Sequence, residues 1–370
     1  MTGDKTEDPR YLQQQLITYI GNKRALLPFI SRGVELVRNR LGKKKILSLD
    51  LFSGTGIVSR LLRQYSKLVI SNDIEYYSYV TNHCYMANKS TVPMGRLLEA
   101  FDYIKENTHK YPEGGFIAQL YAPLDDQDIK PGERVFYTRR NAVYIDAVRR
   151  LINDVDEDLR YYLLAPLLSE SSIHANTAGV FKGFYKSKDG LGRFGGQAGN
   201  ALSRILRDIE LRLPRFSNFD CQSEICLSDA GDFIDAHSNM EFDLAYFDPP
   251  YNQHPYGSNY FMLNLIARYE RPGAVSRVSG IPMEWRRSPY NKKNQAQKAL
   301  FQSIADCPAK FLLISYNSEG FIKKDDFISY LDKIGGVLVL ETPYNAFRGS
   351  RNLAGRDIYV TEFLYLLEKK

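Results

Sequence analysis

Ile46-Leu-Ser-Leu-Asp-Leu-Phe-Ser-Gly-Thr-Gly56 is a short apolar run that ends in a glycine-rich turn. An apolar run of this length bounded by glycines reads as a buried strand. The residues after Gly56, IVSRLLRQY, read as a helix, and Lys67-Leu-Val-Ile-Ser-Asn-Asp73 as a second strand. Strand, helix and strand within about 30 residues make a βαβ unit. Glycines in such a turn let the backbone approach a ligand closely, and the following helix N-terminus favours negative charge. Asp73 closes the second strand at the spacing where a carboxylate binds ribose hydroxyls. The pattern is neither GxGxxG nor a P-loop. It points to a nucleoside-containing ligand on an α/β sheet.

On the N-terminal side, YIGNK at 19–23 is extended, and the chain then turns helical to Arg40, with Leu26, Leu27, Ile30, Val34 and Val37 near helical spacing. On the C-terminal side the texture changes near residue 98. Residues 112–133 gather prolines, glycines and acids as loops. Helices are predicted over 145–152, 159–168 and 201–213, the last stopped by Pro214. Between them GVFKGFYKSKDGLGRFGGQAG (179–199) reads as a flexible basic loop dotted with aromatics. Strand texture returns at 242–248, 311–316, 337–340 and 358–367, with helices at 261–269 and near 325–334. The expectation is an α/β domain, residues 1–98 and 220–370, interrupted by a mainly helical insert, residues 99–219.

The whole chain has 370 residues, 44% hydrophobic and 25% charged, ordinary for a globular protein and ample for a core. No apolar run is long enough to span a membrane, and the N-terminus lacks the apolar segment of a signal peptide. Four cysteines in so long a chain make no disulfide framework, and Cys221 and Cys226 are too far apart for a CxxC clip. The expectation is a cytoplasmic protein without a metal. Net charge is +6, and its distribution is segregated: residues 1–48, 134–215 and 268–298 are basic, and residues 99–133 and 216–267 are acidic. Basic clusters with interleaved aromatics suit a phosphate backbone with stacked bases. They equally suit solvated helix faces around an aromatic core.

Asp248-Pro-Pro-Tyr251 sits at the C-terminal end of a strand, where open α/β sheets bind ligands. Two prolines fix the backbone and remove its N–H donors. Carbonyls and a carboxylate remain, able to accept both hydrogens of an amino group. Tyr251 offers a flat face for a planar base.

These motifs together resemble the S-adenosyl-methionine-dependent DNA adenine methyltransferases of the Dam-like group, whose recognition insert lies before DPPY. Tyr19-Ile-Gly-Asn-Lys23 resembles the group's N-terminal cofactor motif, and Asp50-Leu-Phe-Ser-Gly-Thr-Gly56 its FxGxG motif. Asn72-Asp73 resembles the ribose-binding acid, Asp232-Phe233 the pair holding the cofactor's adenine, and Asp248–Tyr251 the catalytic motif. Ile314–Gly320 and Phe347–Arg351 resemble the late strand and basic loop. The resemblance implies a class I methyltransferase fold, Rossmann-like and doubly wound, with a mostly parallel sheet and a reversed last hairpin. It implies S-adenosyl-methionine bound by Tyr19, Lys23, Asp50, Phe52, Ser53, Gly54, Gly56, Asp73, Asp232 and Phe233. It implies catalysis by Asp248, Pro249, Pro250 and Tyr251 on an adenine flipped out of double-stranded DNA, in a restriction-modification system with a possible cognate restriction endonuclease.

The candidate DNA contacts are Arg139, Arg140, Lys182, Lys186 and Arg193 in the insert, and Arg286, Arg287, Lys292 and Lys293 beyond it. Trp285 is either core or a DNA wedge, His254 could touch the target nucleotide, and Asn259-Tyr-Phe could line its pocket. Other readings stay open at this stage. RNA adenine methyltransferases share both motifs. Amino-cytosine methylation is disfavoured by the acid before Pro-Pro-Tyr. A catalytically silent DNA-binding subunit is disfavoured by the intact Asp248 and Lys23. No Pro-Cys dipeptide is present for a 5-methylcytosine mechanism.

Overall fold

A computed structural model describes residues 6–196, 199, 201–345 and 359–370. The expected basic loop Phe347–Arg351 lies outside them. Seven strands form one sheet: β1 (Ile46–Asp50), β2 (Ser66–Asp73), β3 (Gln222–Leu227), β4 (Phe242–Phe247), β5 (Ala309–Asn317), β6 (Gly335–Asn345) and β7 (Tyr359–Lys369). Their order is β3-β2-β1-β4-β5-β7-β6. The first five strands are parallel. β7 inserts antiparallel between β5 and β6, so the sheet ends in the reversed hairpin. This is the class I methyltransferase fold that the sequence implied.

The central strands β1, β4 and β5 are buried on both faces, which is why they read as continuous apolar runs. One covering helix, Leu27–Leu41, shows how the layers close. Pro28 starts it, Leu27, Ile30, Val34 and Val37 form its buried face, and Gly42 ends it at φ 62°. A Cβ on its Gly33 would stand 2.8 Å from Leu364 and 3.0 Å from Leu313. Only glycine lets the helix come that close to β5 and β7.

Two expectations fail locally. β3 carried no apolar signal, because QSEICL is an edge strand with its first half exposed. The helix expected over 201–213 stops after Leu202–Leu206. Beyond it the chain runs extended along the helix Arg139–Asn153. Ile209 and Leu211 are buried while Asp208, Glu210 and Arg212 face solvent, a period of two. Asn141 Oδ1 accepts from the Ile209 N–H at 3.0 Å, and the Tyr144 hydroxyl from the Leu211 N–H at 2.9 Å. Side chains thus replace the helix's own hydrogen bonds.

Among the described residues, no strand of the sheet falls within 99–219. Helices Arg139–Asn153 and Glu157–Ile173 dominate this stretch. Their apolar faces share one core with Tyr77, Val80 and Tyr85 from the helix after β2, and with Phe261–Ala267 after β4. The helical region is therefore seated on the sheet domain by packing, not merely tethered to it. No helix among the described residues is long and apolar enough to cross a membrane.

Candidate active site

The strand order reverses between β1 and β4, since β2 and β3 extend one way and β5 the other. A crevice opens at such a switch point beyond the carboxyl ends of the strands. Here it is a cleft of about 890 Å³. Asp50 ends β1 and Asp248 follows β4, so both reach it.

The β1 turn forms one wall. Gly54 (φ 52°) and Gly56 (φ 71°) adopt left-handed conformations. A Cβ on Gly56 would meet Asn82 Oδ1 at 2.1 Å, and one on Gly54 would press on the Tyr19 ring at 3.3 Å. Asp73 braces this turn: its Oδ2 accepts from the Gly54 N–H at 2.7 Å and its Oδ1 from the Glu75 N–H at 2.8 Å. Ser53 Oγ accepts from Asn82 Nδ2. Phe52 packs edge-on to Phe247 and Tyr290.

Tyr19 and Lys23 enter from the N-terminal segment. The Tyr19 ring stacks on Tyr256 and Tyr260, with centroids 4.9 and 4.7 Å apart. Gly21 turns the chain at φ 75°, and a Cβ there would lie 3.3 Å from the Tyr256 hydroxyl and 3.4 Å from the Tyr251 hydroxyl. Asn22 caps the following turn by accepting from the Arg24 N–H. This delivers Lys23, 3% exposed, with its Nζ 3.0 Å from Asp248 Oδ1 and 3.8 Å from Glu362 Oε2. Asp248 keeps 18% of its side chain open. Pro249 is buried and Pro250 lines the cleft. The Tyr251 ring sits edge-on to Tyr316, 5.8 Å away, with Lys23 Nζ 5.7 Å from its centroid.

Burial raises four of the acids that line this cleft, Asp50, Asp73, Glu75 and Asp248. Asp50 is pushed up to about 7 by burial, against the hydrogen bond from Ser59. Asp73 rises to about 6 despite its backbone N–H donors, and Glu75 to about 7 despite Asn264. Asp248 rises to about 6, burial and the like charge of Glu362 outweighing Lys23. For Lys23, burial opposes the charge, but Asp248 and Glu362 win and hold the ammonium well above its ordinary range. Asp50 Oδ1 is buried with no hydrogen-bond donor.

The cleft gathers Tyr19, Lys23, Asp50, Phe52, Ser53, Gly54, Asp73, Asp248 and Pro250, as the sequence implied. Gly56, Pro249 and Tyr251 stand beside lining residues without lining the cleft themselves, and the cleft does not gather Asp232 and Phe233. Phe233 is 1% exposed and stacked on His237, while Ser228, Asp229 and Ala230, just before the helix's first turn is complete, form the wall. Asp229 caps that helix, accepting from the Gly231 N–H. Asp229 and Ala230 thus line the cleft in place of the expected Asp232 and Phe233. Asn259, Tyr260 and Phe261 are buried among Tyr19, Phe136 and Phe181, not along the cleft. Glu75 and Glu362 escaped the sequence reading. Glu75 lies two residues past Asp73, and Glu362 stands alone in a late strand.

The basic candidates separate. Arg139 donates to the carbonyls of Ala118 and Glu113, and Arg193 to that of Gly196. Arg140 pairs with Asp208. Arg286 donates to the Ile74 carbonyl and lines the cleft beside Glu75. Lys182, Lys186, Arg287, Lys292 and Lys293 are exposed, and Arg287 lies over the half-buried Trp285. Outside the cleft lining, Glu224, Cys226 and His237 bring three possible ligand atoms within 4.8 Å of one another.

The family model described as D12 class N6 adenine-specific DNA methyltransferase matches residues 19–327. The chain is 31% identical over 364 residues to the type II methyltransferase M.NlaIII of Neisseria lactamica, covering 95% of this chain and 99% of that one. It is 27% identical to the type II methyltransferase M.CviAII of Paramecium bursaria Chlorella virus 1, covering 95% and 98%. It is 28% identical to the modification methylase StsI of Streptococcus sanguinis, over 95% of this chain but 52% of that protein. A match across most of the chain, on a sheet whose switch-point cleft carries Asp248-Pro-Pro-Tyr251, makes this protein a member of the D12 class of N6 adenine-specific DNA methyltransferases.

Proposed function

We propose that the cleft binds S-adenosyl-methionine and that Asp248-Pro-Pro-Tyr251 presents to it the 6-amino group of an adenine flipped out of double-stranded DNA. The observation that carries this reading is the meeting of the glycine turn, Asp73 and the Lys23–Asp248 pair in one cleft. Its chemistry suits that cofactor. The buried, unpartnered Asp50 Oδ1 suits an ammonium group. Asp73 keeps acceptor capacity for ribose hydroxyls, and Phe52, Ala230 and Tyr290 offer apolar walls to a base. When bound, the cofactor would supply an electrophilic methyl group on its sulfonium, the sulfur keeping the electron pair of the broken S–C bond as a neutral thioether.

The protein's own part is positioning and electrostatics. The Asp248 carboxylate and the Pro249 carbonyl accept hydrogen bonds from the amino group, and Tyr251 stacks on the base. The amino nitrogen loses conjugation with the ring, and its lone pair becomes free to take the methyl. The nitrogen gains positive charge as it does so, and the surplus proton leaves to solvent.

Residues 99–219 read the target sequence. Lys182 and Lys186, on the glycine-rich loop, approach the phosphates, and Lys182 also acts on His254 beside the catalytic motif. Arg287, Lys292 and Lys293 extend the basic surface. The names of the relatives, type II methyltransferase and modification methylase, support a modification enzyme; a cognate restriction endonuclease and a cytoplasmic setting belong to the same proposal.

The test is modified-base sequencing of host DNA after expression of the wild type and of a variant with 182–196 replaced by a Gly-Ser linker. The expected result is 6-methyladenine at one motif for the wild type and loss of motif or completeness for the variant. Unmodified adenines in the wild type sink the catalytic reading. An unchanged motif in the variant removes the loop as reader.

A further inference from the structure

The ion pair between Lys23 and Asp248 has a third member. Glu362 lies in β7, paired across the sheet with Asn317 of β5 and Thr342 of β6. Its side chain is 3% exposed, and its Oε2 stands 3.8 Å from Lys23 Nζ with no hydrogen-bond donor among the described residues. A buried carboxylate this poorly satisfied costs stability unless it serves another purpose. Among the described residues, one ammonium here faces two carboxylates.

We infer that Glu362 is a positioning residue for methyl transfer: it shares the Lys23 ammonium and so leaves Asp248 an under-neutralised, stronger acceptor for the target amino group. The inference rests on the role given to Asp248 above. If Lys23 neutralised Asp248 alone, the acceptor would be weakened where positive charge develops on the amino nitrogen. With Glu362 drawing on the same ammonium, Asp248 keeps more of its negative charge beside that nitrogen. Glu362 also holds Lys23 without itself lining the cleft, which fixes the lysine and adds no group to the cleft wall.

The groups facing Asp248 come from every neighbouring element. They are Lys23 from the N-terminal turn, Asp50 from β1, Tyr246 from β4, Tyr251 and Tyr256 from the catalytic loop, Tyr344 from β6 and Glu362 from β7. Of these, Lys23 draws the Asp248 proton affinity down and Glu362 draws it up. Removing the Glu362 charge therefore makes Asp248 titrate at lower pH.

The experiment compares Glu362→Gln and Glu362→Asp in the full-length protein. The first removes the charge at constant shape, and the second retains it. Two readings are taken: the pH dependence of kcat, and the titration of the Asp248 13Cγ resonance without cofactor, assigned by its loss in Asp248→Asn. In Glu362→Gln, plateau kcat is expected to fall about tenfold. The acidic limb and the resonance midpoint are expected to move down by about one pH unit. In Glu362→Asp both stay near wild type. A merely structural role lowers thermal stability but leaves the midpoint in place, and that outcome overturns the inference. If Glu362→Gln does not fold, a midpoint in Glu362→Asp shifted down as far as one pH unit likewise overturns it. Full activity in Asp248→Asn refutes the catalytic reading itself, whereas a dead Asp248→Asn with an unmoved Glu362→Gln midpoint refutes only the role of Glu362.

Discussion

In the cleft, charged side chains converge on space left open for a ligand, whereas in the helical insert the guanidinium groups turn inward onto the protein's own backbone. Arg149 donates to the carbonyls of Ile266 and Ala267, near the end of the helix Phe261–Arg268. Arg204 donates to those of Ile173 and Ala175, where the helix Glu157–Ile173 ends. Arg134 and Arg139 do the same for carbonyls of the short helix Phe116–Tyr121 and of the loops at Ser276 and Glu113. Helix C-termini leave carbonyls without intrahelical donors, and the five N–H groups of arginine suit them well. The lesson is that an excess of basic residues measures a nucleic-acid surface only after the fold's own acceptors have taken their share.

The largest effect that separates the two regions is at the catalytic acid. Asp248→Ala should lower turnover by about a thousandfold or more, while calorimetry finds cofactor affinity nearly unchanged. In the wild type, activity should rise with pH through about 6, since the carboxylate is the acceptor and burial raises its proton affinity. A variant that binds cofactor poorly but turns over well would reverse the division of labour in the cleft.

A second contrast lies within the insert. Arg149→Ala strips donors from two helix-end carbonyls and from Asn153, and should cost about 1–3 kcal/mol of stability in a denaturant titration. Lys186→Ala should leave stability unchanged. It should instead weaken binding to all DNA sequences alike and reduce the salt dependence by about one phosphate contact. If Arg149→Ala is stable and loses DNA binding, the two classes of basic residue have been confused.

The same contrast explains what the sequence made legible. In the cleft, function rests on backbone turns that only certain residues permit. Gly54, Gly56 and the Pro-Pro pair can be read directly along the chain. Elements without a local constraint stayed hidden. The polar edge strand β3 lacks the apolar run of its neighbours. The stretch after Leu206 follows a period of two that its leucines and isoleucine had suggested as helical. Glu362 is joined to Lys23 only by the sheet order, which brings together residues more than three hundred positions apart. Asp229 and Asp232 both precede an apolar residue, so the chain alone does not tell which of them lines the cleft; the fold puts Asp229 there, at the cap of its helix.

Arg286 tests the comparison at its border, where the expected effect is smallest. Sequence position groups it with Arg287 and Trp285 in a basic stretch suited to DNA. Geometry groups it with the cleft: its guanidinium donates to the Ile74 carbonyl at 3.3 Å, and its charge acts on Glu75. Burial pushes the Glu75 carboxyl up to about 7, Asp73 adds to this, and Arg286 opposes it. Arg286→Ala should therefore raise the Glu75 proton affinity further and leave more of it neutral at pH 7. Glu75 lines the cofactor cleft, and we propose that its ionised carboxylate accepts from the bound cofactor, so cofactor affinity, measured by calorimetry, should weaken about three- to fivefold at pH 7. The loss should shrink at pH 8.5, where Glu75 is ionised with or without the arginine. DNA affinity should change less than in Lys186→Ala. If DNA affinity falls and cofactor affinity does not, Arg286 belongs with the phosphate contacts, and the wall of the cleft ends at Glu75.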